Sequence, residues 1–223
     1  MAEVFEAFDC KFDKRVALKR PPKEAWIDQG ARQELVEEAR LQERLRHNHI
    51  VRVHDIVDEG LGRAVWMAMD FAEGQSLKDL LLAKGRLGAK RAASTAIQMA
   101  SALKAAHDAN IVHRDVKPSN VMVDDHGWVM LVDFGIARVM HQTMVTLKHQ
   151  ETSGTPLYMA PEQHVGGPGV RDKPVDVYAF GAVLYEMLTG RAAFKDAANP
   201  LEADMLEWLA GKWNINVSYG DEA

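Results

Sequence analysis

The chain of 223 residues has a single cysteine, Cys10, so it forms no internal disulfide, and its composition suits a reducing cytoplasm rather than a cross-linked secreted scaffold. It has no apolar run approaching the roughly 18 residues of a membrane span and no signal-peptide pattern at its start, which predicts neither a membrane segment nor a secretory leader. It also lacks a surplus of positive charge. Lys and Arg number 27 against 32 Asp and Glu, a net charge of −5 with pI near 6.0, so no global field draws nucleic acid or an anionic membrane. Internal repeats, linkers and low-complexity segments are missing as well. What is present is ordinary globular material, 47% hydrophobic and 26% charged. It is long enough for one large domain or for two small lobes that share a cleft.

Within that background Ile111 to Gly135 is exceptional. Two oxygen-rich clusters are separated by the short apolar runs Val121–Val123 and Trp128–Val132, with Asp124-Asp125-His126-Gly127 between the runs. The pattern reads as loop, strand, turn, strand, loop. Pairing the two runs as a hairpin brings the ends of the stretch together, so that Asp115, Lys117, Asn120 and Asp133 converge. One acid, one cation and two hard-oxygen ligands fit phosphoryl transfer on Mg²⁺.

His113-Arg114-Asp115, followed by Lys117 and Asn120 and then by Asp133-Phe134-Gly135, resembles the catalytic and metal-binding loops of eukaryotic-like protein kinases. Two motifs in order and at close spacing are far more specific than either alone. Lys117, two residues after the acid, resembles the serine/threonine branch. The resemblance implies that Asp115 orients a substrate hydroxyl and accepts its proton, that Lys117 steadies the phosphoryl group, and that Asn120 and Asp133 hold Mg²⁺. Gly154-Thr155-Pro156-Leu157-Tyr158-Met159-Ala160-Pro161-Glu162 resembles the substrate-facing loop of the same family, where Thr155 would hydrogen-bond Asp115 and Lys117. With Gln163 following, it looks most like the bacterial branch. Ile136–Ser153 then stands where the activation segment stands in that family. Arg114 beside the acid implies control by a phosphate on Thr143, Thr146, Thr152 or Ser153, placed there by the kinase itself, with an unmodified polar loop as the equal alternative.

Met1–Arg20 alternates apolar and polar residues and predicts a hairpin turning through Asp9–Arg15. Val16-Ala17-Leu18-Lys19 matches the family's V-A-I-K strand, which makes Lys19 the implied contact to the α- and β-phosphates of ATP, with Ala17 and Val4 beside the nucleotide. Aligning Val4 with the end of the glycine-rich loop G-x-G-x-x-G-x-V puts Ala2 at its third glycine. The expectation is a chain that begins inside the phosphate-covering loop, with weakened nucleotide binding and one edge strand fewer in the small sheet, because glycine there lets backbone N–H groups approach phosphate. Ala31–Arg46 predicts a helix with Leu35, Glu38, Gln42 and Leu45 on one side. Glu38, nineteen residues after Lys19, matches the helix glutamate that pairs with the lysine. Gln42 takes a place where a packing residue is expected, and either loosens the helix against Phe134 or reaches solvent. His47-Asn48-His49-Ile50 resembles the family's H-x-N-I turn; with no cysteine or carboxylate cluster beside them, its histidines do not read as a metal site.

Ile50–Val57 and Ala64–Met69 predict strands. Met69-Asp70-Phe71-Ala72-Glu73-Gly74 looks like the hinge, with Met69 as gatekeeper and the backbones of Asp70 and Ala72 facing adenine. Gly88–Ala109 predicts a helix whose apolar stripe is Ala93, Ala96, Ile97, Ala100, Leu103 and His107, the histidine packing or capping the end. Asp176–Gly190 predicts a buried helix, from which Asp176 is implied to anchor the catalytic loop. Asn199–Ala210 predicts another, with Leu201, Met205, Trp208 and Leu209 on one face. The expected class is α+β: a two-lobed, protein-kinase-like fold with an incomplete small-lobe sheet and a shortened large lobe. Residues 1–69 form the small lobe, 70–74 the hinge and 75–223 the large lobe, the motif resemblance running to about Arg191. The implied activity is a serine/threonine protein kinase using ATP and Mg²⁺ on protein hydroxyls. The alternative is a silent kinase-like binding module, favoured by the loss of the glycine loop and opposed by the complete charged set Lys19, Glu38, Asp115, Lys117, Asn120 and Asp133.

Overall fold

Alternating side chains at one short strand separate the two largest hydrophobic cores among the described residues. The computed structural model describes residues 3–20, 29–60, 63–134, 156–165 and 173–193. Strand β1 (Glu3–Asp9) and strand β2 (Lys14–Arg20) form the expected hairpin, with Val4 opposite Lys19 and Glu6 opposite Ala17. Its turn is closed by Asp9 Oδ1, which accepts from the amides of Lys11 at 2.9 Å and Phe12 at 3.1 Å, the self-bonding that makes aspartate a turn residue. Helix α1 (Gln29–Glu43) follows, then β3 (Val53–Asp58) and β4 (Val65–Asp70). The small sheet runs β1-β2-β4-β3. Among the described residues β1 is an edge of this sheet, and Val4, Phe5 and Phe8 on it are 60%, 42% and 57% exposed.

A second sheet, β5 (Gln75–Ser76), β6 (Val121–Val123) and β7 (Val129–Leu131), lies against the helices. The hairpin predicted between the two apolar runs is the β6–β7 pair. Ile50 and Val51 do not belong to the small sheet as expected. Val51 donates its amide to Leu131 O, and Leu131 donates to His49 O, both at 2.9 Å, in a parallel bridge to β7. An apolar run calls for a buried strand but does not choose its partner.

Helix α2 (Leu77–Lys84) is capped by Ser76, whose Oγ accepts from the Asp79 amide at 3.1 Å. Helix α3 (Ala89–Asp108) packs on α5 (Pro174–Thr189), and the short α4 (Pro161–Val165) precedes α5. The buried stripe of α3 is Ala92, Thr95, Ala96, Met99, Leu103 and Ala106, turned from the one predicted, and Ile97 is 70% exposed. So many alanines leave two sides of this helix nearly equally apolar, and Met99 with Leu103 supplies the bulk that meets the helical core.

That core gathers Leu77, Met99, Val121, Leu131, Phe134 and Met187. The other gathers Ala17, Ala39, Val53, Val65, Met67 and Met69 under the small sheet, and Met130 and Val132 pack on it from β7. Successive side chains of a strand face opposite sides, so β7 is the wall between the cores, and it leads directly into Asp133. Among the described residues no helix is long and apolar enough to cross a membrane. The expected activation segment and the expected 199–210 helix lie outside the described residues.

Candidate active site

The loop after α3 is fixed by one buried carboxylate. Asp176, fully buried near the start of α5, accepts from the His113 amide at 2.8 Å through Oδ2 and from the Arg114 amide at 2.7 Å through Oδ1. His107 Nε2 at the end of α3 lies 2.7 Å from Oδ2. Three partners satisfy a group that would be costly to bury alone. This is the anchoring role expected of Asp176; the share of His107 in it was not foreseen. Arg114 sits in the left-handed region at φ 64°, a conformation that costs a non-glycine residue about 1–3 kcal/mol and persists where surrounding bonds determine it.

Past that point Asp115 points into a small polar knot. Its Oδ2 accepts from Lys117 Nζ at 2.7 Å and from Asn120 Nδ2 at 2.9 Å, and the same amide nitrogen donates to Asp115 O at 2.8 Å. Both side-chain bonds fall on Oδ2, so Oδ1 carries neither. The amide nitrogen of Asn120 being spent on Asp115, its Oδ1 faces the other way, near Ser119 Oγ at 3.4 Å.

His113, fully buried, stitches this loop to the next. Its Nε2 is 3.0 Å from Val132 O, its Nδ1 accepts from the Asp115 amide at 3.4 Å, and its ring centroid lies 4.4 Å from that of Phe134. A carbonyl only accepts, so the proton is on Nε2. Val132 in turn donates its amide to Asn120 O at 3.0 Å. The residues next to Asp115 and next to Asp133 are thus held by one imidazole and one backbone bond.

Asp133, left-handed at φ 61°, presents Oδ1 to Lys19 Nζ at 2.7 Å, and Lys19 is only 4% exposed. Lys19 and Asp133 thus form one pair and Asp115, Lys117 and Asn120 one knot, and the two are joined through Val132, which bonds to both Asn120 and His113. Val4 and Met67 pair with Lys19 across the sheet, and Ala17 pairs with Met69, so Val4, Ala17, Lys19 and Met69 share one face. The Asp70 side chain turns to the other face, its Oδ1 2.5 Å from His54 Nε2 and 3.4 Å from Lys14 Nζ, which leaves its backbone for the cleft. Gly74 at φ 96° ends this linker against β6, where a Cβ would come within 2.2 Å of Val123 O; only glycine fits.

The oxygens of Asn120 and Asp133 suit Mg²⁺, a hard cation that takes one or two protein ligands and completes its shell with phosphate and water. The Lys19 ammonium already beside Asp133 shows a position that accepts a cation. The Glu38 side chain lies outside the described residues, so the described partner of Lys19 is Asp133. Thr155, Thr143, Thr146, Thr152 and Ser153 also lie outside the described residues. Gln42 does not reach solvent: it is 2% exposed and its Oε1 has no hydrogen-bond partner among the described residues.

Toward the expected substrate side, Gln163 Oε1 accepts from the Ala160 amide at 2.9 Å while its Nε2 donates to Arg114 O at 3.4 Å, tying α4 to the catalytic loop. Tyr158 donates its hydroxyl to Glu186 Oε2 at 2.6 Å. Burial and then Glu186 hold that phenol far above its ordinary range, and burial with the charge of Glu162 pushes Tyr178 up to about 12. His107 was within reach of motif reading only as a helix-end residue. Its partner is 69 residues away, and no local pattern points that far.

A family model of the protein kinase domain matches residues 1–217, which carries the likeness past Arg191. The serine/threonine-protein kinase PrkC of Bacillus subtilis is 36% identical over 223 residues, covering 97% of this chain and 33% of that protein. The probable serine/threonine-protein kinase PknB of Corynebacterium glutamicum is 36% identical over 198 residues, 87% of this chain and 30% of that protein. The serine/threonine-protein kinase PknA of Mycobacterium tuberculosis is 36% identical over 197 residues, 87% of this chain and 45% of that protein. The chain spans about a third to a half of the length of these relatives.

Proposed function

The chain belongs to the protein kinase family, and from that premise we propose that it transfers the γ-phosphoryl group of ATP to serine or threonine hydroxyls of proteins, with Mg²⁺. The observation that carries the reading is the knot at Asp115: Lys117 and Asn120 hold one carboxylate oxygen, and the other remains to take a proton. Residues 1–69 and 75–223 act as the two lobes, with 70–74 as the hinge between them. A cytoplasmic location belongs to the same proposal and rests on the single cysteine.

Bound Mg·ATP would supply the transferable group and neutralise charge on its oxygens, with Asn120 Oδ1 and Asp133 as protein ligands. Asp115 Oδ1 receives the hydroxyl proton and aims the oxygen, which is general-base catalysis worth about 10²–10⁴-fold. Lys117 fixes the carboxylate and places a positive charge beside the reacting oxygens. Lys19 leaves Asp133 for the phosphates. Backbone groups of Asp70 and Ala72 read the base, and Val4, Ala17 and Met69 cover it. Thr155 and the pairing of Lys19 with Glu38 complete the proposed machinery, and Thr143, Thr146, Thr152 and Ser153 are the proposed sites of self-phosphorylation.

Single-turnover transfer of labelled γ-phosphate to the protein itself and to a generic basic substrate tests this. Incorporation is expected, with Asp115→Asn lowering it by about 10²–10⁴-fold and Asp133→Asn abolishing it while both variants stay folded. No incorporation by a folded, monodisperse sample sinks the reading.

A further inference from the structure

Arg15 belongs to no motif, yet its side chain joins β2 to β1 and to the linker after β4. It is near the start of β2, two residues before Ala17 and four before Lys19, so it shares their face of the sheet. Its guanidinium carbon lies 4.5 Å from the centroid of the Phe71 ring. One of its nitrogens donates to Glu73 Oε1 and another to Glu6 Oε1 at 3.3 Å. Phe71 itself packs on the core under the small sheet. The linker residues 71 and 73 are therefore gripped from the sheet side by a single planar cation that also reaches β1. A flat, five-donor fork suits this combined stacking and pairing, and a lysine ammonium does not.

We propose that Arg15 is a positioning residue for the nucleotide: it clamps the Phe71–Glu73 linker to the small sheet and so fixes the gap between the face carrying Ala17 and Lys19 and the backbone of Asp70 and Ala72. The consequence for ATP rests on the kinase reading given above; the clamp itself does not. Asp70 points the other way, to His54 and Lys14, so the linker is held from both faces of the sheet. Arg15 supplies the hold on the cleft side.

Hydrogen exchange of the nucleotide-free protein, followed in peptides spanning residues 14–20 and 65–74, tests the clamp without any need for activity. Arg15→Ala should exchange faster there and nowhere in α3 or α5. In steady-state kinetics Arg15→Ala should raise KM for ATP about fivefold with kcat within about twofold, because exposed pairing and stacking each contribute modestly. Arg15→Lys, which keeps the charge but not the plane, should recover less than half of that loss. Unchanged exchange in Arg15→Ala overturns the clamp. Faster exchange with an unchanged KM for ATP overturns its role in positioning. A parent protein that neither transfers phosphate nor gains thermal stability from Mg·ATP overturns the kinase reading, and exchange still decides the clamp.

Discussion

The two halves of the site are held by different kinds of force. Around Asp115 the supports are largely buried, and most are short: Asp176 on two backbone amides and His107, His113 between Val132 and Asp115, Asn120 on the acid itself. Around the face of the small sheet that carries Lys19 the supports include exposed ion pairs, Arg15 with Glu6 and Glu73, and the large apolar side chains of β1 face solvent. Buried hydrogen-bonded networks rigidify, whereas screened surface pairs each contribute little and yield easily. On the proposed function the groups around Asp115 are preformed on the helical body, and the small sheet above them is held by weaker, solvent-screened pairs. Local stability differs accordingly across the protein.

Breaking the rigid half should show the largest effect. Asp176→Asn leaves too few acceptors for its donors. It should lower unfolding free energy by about 2–4 kcal/mol, since each unsatisfied buried group costs about 1–3 kcal/mol, and transfer should fall by about 100-fold even at temperatures where the variant is folded. Chemical denaturation with single-turnover transfer measures both; a variant of normal activity would show that the anchor is dispensable. Next, Lys19→Met should abolish the rise of melting temperature with Mg·ATP while changing the ligand-free melting temperature little, because Asp133 is partly exposed and water can replace its partner. A retained ATP-dependent shift would detach Lys19 from nucleotide binding.

Gln42→Leu sharpens the contrast from the other side. Removing a buried oxygen that has no partner among the described residues, at nearly constant volume, should raise stability by about 1–2 kcal/mol, a gain of roughly 2–8 °C. A loss of stability would mean that the carboxamide makes a contact worth more than its desolvation. The smallest effect is on pH. His47 accepts the His49 amide on Nδ1 at 3.2 Å and lies 3.0 Å from Ser101 Oγ through Nε2; burial first, then the neighbouring His49, pull its titration below the ordinary imidazole value. The unfolded chain then binds the proton more readily, so stability is full above about pH 6.5 and declines as pH falls toward the folded value. His47→Gln should flatten that slope, and an unchanged slope would assign it to other groups.

The arrangement of Asp115, Lys117 and Asn120 was legible in the sequence, because these residues sit in short, fixed spacings that survive without knowledge of the fold. The β6–β7 hairpin needed only two apolar runs and a turn between them. What escaped was relational. The tie of His107 to Asp176 crosses 69 positions, and that of Arg15 to Glu73 crosses 58. Ile50 and Val51 carried a correct signal for burial and a wrong partner. The stripe on α3 was misread because alanine is apolar enough for either side and bulky enough to decide neither. Gln42 was seen as out of place, but burial and the state of its oxygen are properties of packing.

The pairing of His49 and Val51 with Leu131 turns α1 into a lever pinned at one end. The segment that follows its C-terminal end is fastened to the strand that leads into Asp133, while Arg32 in its first turns bonds to Asp58 of β3 and to Arg63 O. With a rise of 1.5 Å per residue, Glu38 stands about 8 Å from the end at Glu43 and Arg32 about 16 Å. Any tilt of the small sheet therefore reaches Glu38 at about half the amplitude felt at Arg32, with the fulcrum travelling with the loop that carries Asp133.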